Sequence, residues 1–167
     1  MHPLRQLFAV SVGVLLSLPF IGCAGPRTSF EAGESSILTD GSGVALGGYD
    51  PVSYFEEGGP VRGSAELTAT HSGATYWFAT AAHRDAFSAN PERYAPAFGG
   101  WCAWAVAGDE GALVEVDPQS FLIQDGRLLL FYDGMFADTR KMWIDEDPAA
   151  LLRGADANWE RLEASAR

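Results

Sequence analysis

The stretch FLIQDGRLLLFY, residues 121–132, decides the fold class of this chain. Two short runs of apolar and aromatic residues, Phe121–Gln124 and Arg127–Tyr132, flank Asp125-Gly126. That dipeptide favours the positive φ values of a two-residue hairpin turn. Upstream, Leu67–His71 and Thr75–Ala79 flank Ser72-Gly73 in the same way and predict a second hairpin. Helix signals surround the hairpins. Thr80 is placed to cap AAHRDAFSA, a helix expected to end before Pro91. From Pro148 the tail carries Leu151, Leu152, Ala155, Trp159 and Leu162 on one stripe, with Arg153, Asp156 and Glu160 opposite, which predicts an amphipathic helix. The expected fold class is therefore α+β, a single small domain of β-hairpins packed with short helices and closed by a C-terminal helix.

Four dipeptides punctuate the chain: Asp50-Pro51, Asn90-Pro91, Asp117-Pro118 and Asp147-Pro148. In each, the Asp or Asn side chain can accept from the free amides of a first helical turn, and the proline presets φ where no N–H is needed. Asp50, Asn90, Asp117 and Asp147 are accordingly assigned as helix caps. VSYFEE after Asp50 is expected to be a short helix stopped by Gly58 and Gly59.

Residues 1–22 have the layout of a secretory signal, with Arg5 ahead of an apolar run from Leu7 to Ile21 that Pro19 interrupts. Phe20-Ile21-Gly22-Cys23 resembles a bacterial lipobox, which would make Cys23 a lipid-modified first residue. Cleavage after Ala24 is the rival reading. Either cut takes Cys23 out of disulfide chemistry and leaves Cys102 as the sole mature thiol. Residues 23–43 are rich in Gly, Ser and small polar residues and read as a flexible tether, leaving 44–163 as the domain.

The mature chain is acidic. With Arg5 gone, ten basic residues face 22 acidic ones, a net charge of −12, and lysine occurs once, at Lys141. Such a surface repels phosphates and anionic lipid, so nucleic-acid binding is excluded and membrane attachment falls to acyl chains. No P-loop, dinucleotide fingerprint, HExxH or nucleophile elbow is present.

GYDPVSYF (48–55), YWFATAAHRDAFSANPERY (76–94), FGGWCAWA (98–105) and DGRLLLFY (125–132) together resemble the exported branch of YHS-domain proteins, over roughly residues 44–162. The smaller YHS and TRASH-type modules of copper-handling pumps have a comparable core. There, one cysteine follows Asp-Pro-Val and two more sit in Phe-Cys-Ser-x-x-Cys at a helix start. The resemblance implies a metal-related role through those cysteines. In this chain Ser53, Ala79 and His83 occupy the three positions, so most of the implied ligand set is missing.

Among the residues themselves, the ligand candidates are His71, His83, Cys102, Met135, Met142 and the carboxylates. His83 lies four residues before Phe87 on the inward helix face. It reads either as a partly buried histidine with a backbone hydrogen bond or as a ligand. His71 falls at a hairpin tip. Cys102 follows two glycines between Trp101 and Trp104, surroundings that favour an inert buried thiol. The expectation is an exported, lipid-anchored YHS-like binding module on the periplasmic side of a bacterial membrane, at the outer membrane. It is not catalytic; it binds a metal or a periplasmic protein partner. His83, Cys102 and His71 are the metal candidates, and copper or zinc would be held weakly. Two alternatives stand beside it: a thiol enzyme or redox protein using Cys102 with His83, and a structural interaction module with no ligand.

Overall fold

A computed structural model describes residues 26–135 and 137–167. The leader over 1–22 and the lipidation site Cys23 lie outside the described residues. The fold is α+β. Strands β1 (Ser64–His71) and β2 (Ala74–Phe78) form one antiparallel hairpin, and β3 (Asp117–Gln124) and β4 (Arg127–Phe131) form another. Both turn on two residues with positive φ: Ser72 at 48° and Gly73 at 80°, then Asp125 at 52° and Gly126 at 75°. This turn geometry matches the right-handed twist of the flanking strands. Strands β5 (Asp133–Gly134) and β6 (Ala137–Asp138) make a two-residue ladder. The helices are α1 (Ala81–Ala89), α2 (Pro91–Tyr94), α3 (Ala103–Ala107), α4 (Thr139–Asp145) and α5 (Pro148–Ser165). No described helix is long and apolar enough to cross a membrane.

The run RLLLF is a dividing wall. Leu128 and Leu130 face an apolar cluster with Tyr54, Tyr76, Phe78 and Phe87. Leu129 and Phe131 face a second cluster with Trp101, Trp143, Leu152 and Leu162. A strand buried on both faces is apolar without alternation, which is how this one reads. Its edges are occupied as well: β3 pairs along one, and Pro96 and Cys102 form parallel bridges to Leu128 and Leu130 along the other.

Three expectations are corrected. Asp117-Pro118 does not open a helical turn, because Asp117 pairs with Phe131 at the start of β3. The Asp117 carboxylate instead accepts from Gln119 N–H at 2.8 Å, within an irregularity before Phe121. VSYFEE forms only a 3-10 turn, Ser53–Phe55.

The third correction concerns the tether, which from residue 26 onward is packed against the domain. Phe30 is 4% exposed, its ring edge-on to Trp101 and Trp159, and its amide donates to Ser165 Oγ at 2.9 Å. Leu38 N–H donates to Gly99 O at 2.8 Å, and Trp101 Nε1 donates to Ser36 O at 3.0 Å. One buried aromatic and a few backbone bonds outweigh a composition that favours flexibility. Asp40 closes the strap; its carboxyl is held below the usual range mainly by the Val44 N–H, with Ser42 adding to the effect.

Candidate functional site

Asp50 is wholly buried, and its carboxylate gathers three segments. Oδ1 accepts from Val52 N–H at 2.9 Å, within its own turn. Oδ2 accepts from Ala79 N–H at 2.8 Å, where β2 leaves the sheet, and from His83 Nδ1 at 2.7 Å, on the first turn of α1. An unpaired buried carboxylate would be costly, and these three donors satisfy it. Ser53 Oγ donates to Asp50 O at 2.7 Å and accepts from Val61 N–H at 3.0 Å, fixing the turn from the other side. Asp50 is thus not a helix cap: its side chain reaches 29 and 33 residues along the chain.

The carboxylate sets the histidine. Because Oδ2 can only accept, Nδ1 carries the hydrogen, and Nε2 lies 3.2 Å from Glu56 Oε1. The His83 side chain is 17% exposed and that of Glu56 55% exposed, so the chain Asp50–His83–Glu56 runs from the interior to the surface. Thr80 Oγ1 caps α1 by accepting from His83 N–H at 3.1 Å. The ring nitrogens of His83 meet carboxylates, so the expected backbone bond to the ring is replaced. Ser53, Ala79 and His83, the positions where the YHS resemblance would place cysteines, all touch Asp50.

The three metal candidates are not brought together. His71 Nε2 lies 3.4 Å from Glu92 Oε1 and 3.2 Å from Ser72 Oγ, and its ring is edge-on to Phe87. Cys102 is wholly buried and free. Its sulfur lies 3.4 Å from Thr139 Oγ1 and accepts from Tyr132 N–H at 3.4 Å. Thr139 Oγ1 spends its own hydrogen on Tyr132 O at 2.7 Å, so the thiol is the donor to Thr139. Met135 is 92% exposed and Met142 40% exposed. Among the described residues no group of three or more His, Cys, Asp and Glu is placed to hold a metal ion. Asp50 and Glu56 meet opposite nitrogens of the His83 ring, and the Asp50 oxygens already accept from N–H groups. Two outward donors remain, His83 Nε2 and Glu56.

Of the other assigned caps, Asn90 precedes α2 but its side chain makes no capping bond, the proline at the first position sufficing. Asp147 Oδ1 accepts from Ala149 N–H at 3.1 Å and Ala150 N–H at 3.0 Å. In the core beside α1, the Tyr76 hydroxyl is buried without a partner among the described residues, and burial pushes its pKa up to about 12. Glu56 carries no sequence signal as a site residue, since EEG reads only as a helix stop.

Cys102→Ala leaves the Tyr132 N–H without an acceptor and removes a well-packed sulfur. We expect it to cost about 2 kcal/mol in urea unfolding. The wild-type thiol should label slowly with a thiol reagent while folded and rapidly once unfolded. Fast labelling of the native protein would contradict this arrangement.

No protein-family model, curated protein or solved structure matches this chain.

Proposed function

We propose that this chain is a non-catalytic binding module, exported and held at a membrane by lipid on Cys23, that takes a divalent metal ion weakly at His83 and Glu56 and completes its coordination from a partner protein. The observation that carries the reading is the His83 ring. The buried Asp50 carboxylate fixes its tautomer and aims Nε2 outward beside Glu56. A carboxylate behind a histidine orients the ring and makes its other nitrogen a better ligand. The similarity to YHS domains supports the same location, since the three positions implied there converge on Asp50.

The donor set narrows the ion. One imidazole and one carboxylate suit zinc or Cu(II), whereas a soft Cu(I) site would want the thiolates that Ser53 and Ala79 replace. Two protein donors are fewer than the three or four of ordinary zinc sites, so affinity is low unless a partner adds ligands. The thiol-enzyme alternative loses support because Cys102 and His83 have separate hydrogen-bond partners.

Titration of the purified protein with Zn²⁺ tests this. Weak, saturable binding should vanish in His83→Ala and fall in Glu56→Gln, a surface change that leaves the Asp50 network intact. Stoichiometric metal retained through a strong chelator, or binding indifferent to both substitutions, would overturn the reading.

A further inference from the structure

The leash between the proposed lipid anchor and the domain is much shorter than its composition suggests. A flexible segment over 23–43 would reach about 25 Å on average. The strap is instead pinned from Arg27 onward. Arg27 O accepts from Leu113 N–H at 2.7 Å. The Arg27 guanidinium pairs with Glu34 at 2.8 Å and lies 5.7 Å from the Trp101 ring centre, and Phe30 is buried against Trp101 and Trp159. Only Ala24, Gly25 and Pro26 separate Cys23 from this docked residue. Four Cα steps span at most about 14 Å when fully extended.

The docking point has a fixed relation to the candidate metal site. Phe30 and Leu113, the partner of Arg27, belong to the side of β4 that Leu129 and Phe131 face. The turn that bears Glu56 and the helix that bears His83 pack on the other side, through Val52, Tyr54 and Phe87, against Leu128 and Leu130. A compact domain of about 140 residues is about 37 Å across. A leash of about 14 Å cannot pass around it, so the end nearest the anchor and the side bearing His83 cannot exchange places. That near end also carries Glu110, whose carbonyl oxygen accepts from Arg161, and the α5 terminus, where Ala166 O accepts from Gly33 N–H at 2.8 Å.

We propose that this end of the domain sits against the bilayer and that His83 Nε2 and Glu56 face the aqueous side. The partner that completes the metal site then delivers its donors from the aqueous side, and a protein confined to the bilayer cannot reach them. The inference rests on the reading above, with lipid on Cys23 and a ligand pair at His83 and Glu56. The acidic surface adds no attraction to lipid, so the short leash alone holds the domain in place.

The test uses the chain that begins at Cys23, coupled through that thiol to a maleimide lipid. The bilayer is a phosphatidylcholine nanodisc that also carries a gadolinium-chelating lipid. Cys102 is buried and stays unreacted. In NMR spectra the amide signals of Arg27, Glu110 and Arg161 should lose most of their intensity, while those of Glu56, His83 and Arg84 keep most of theirs. Inserting about forty Gly and Ser residues between Pro26 and Arg27 gives the leash a mean reach close to the width of the domain, and should abolish the contrast. Uniform broadening with the native leash, broadening strongest at Glu56 and His83, or a contrast that survives the insertion would overturn the proposal. The mass of the protein purified from membranes tests the anchor separately. A bare Cys23 ends both readings, whereas an acylated Cys23 with uniform broadening ends only this one.

Discussion

Asp50→Ala should lower the stability of the protein by about 4 kcal/mol, the largest loss expected from any single substitution at the site. It strips acceptors from the buried Val52 amide and the part-buried Ala79 amide, frees the His83 ring and leaves a void at a position with no exposure. Each orphaned buried donor costs roughly 1–3 kcal/mol, and the terms are coupled because one group serves all three. For a domain of this size the midpoint of thermal unfolding should fall by about 10 °C. Asp50→Asn keeps the volume but turns an amide nitrogen either to the Val52 N–H or, in the Oδ2 position, to both the Ala79 N–H and His83 Nδ1. It should cost about half as much and weaken the proposed Zn²⁺ binding, since with the amide nitrogen in the Oδ2 position His83 can switch tautomer. Urea unfolding of the two variants beside wild type is the measurement. A loss below 1 kcal/mol in Asp50→Ala would mean that the carboxylate does not hold these segments together.

Gly99→Ala is expected to cost about 3 kcal/mol, and the damage should be local. Gly99 has a φ of 58°, and a Cβ there would collide with the Ser36 carbonyl oxygen and stand 3.1 Å from Trp159 Cη2. Left-handed backbone costs an L-residue about 1–2 kcal/mol, and forcing an atom into packed surroundings adds a similar amount. Relief comes by lifting residues 36–38, which breaks the Leu38–Gly99 backbone bond and the Trp101–Ser36 bond. New proteolytic cleavage between residues 26 and 43 should therefore accompany the lost stability. Gly126→Ala is the control, because φ is 75° there but nothing lies within 4 Å of a Cβ. It should lose about 1 kcal/mol without new cleavage. Equal protease resistance in Gly99→Ala and wild type would show that the strap is not held at this point.

Local chemistry explains what could be read from the sequence. The hairpins at Ser72-Gly73 and Asp125-Gly126, the Thr80 cap and the start of α5 at Asp147-Pro148 each depend on residues within a few positions of one another. The errors come from residues whose partners are distant. The Asp50-Pro51 pair follows the capping rule as well as Asp147-Pro148 does, yet the Asp50 carboxylate turns inward because Ala79 and His83 arrive to meet it. Asp117-Pro118 becomes strand because β4 offers a partner at Phe131. The strap looks like linker because Phe30, the residue that docks it, is one aromatic among small polar residues. His83 could be singled out as a candidate, but its connection to Glu56 depends on how the 50–56 turn meets α1, which periodicity does not record.

The enclosure of β4 also bears on how the protein fails. Leu128–Phe131 is a short, uncharged, strongly apolar strand, the kind of segment that templates cross-chain pairing when its backbone is bare. Its partner β3 is adjacent in sequence and can form early, but the cover on its other edge comes from residues 96–102, about thirty positions upstream. Until that segment docks, the β4 edge of a β3–β4 hairpin is open. Loosening Pro96–Cys102 therefore exposes the stickiest strand of the chain while most of the fold is still intact, and aggregation rather than full unfolding becomes the first consequence of damage there.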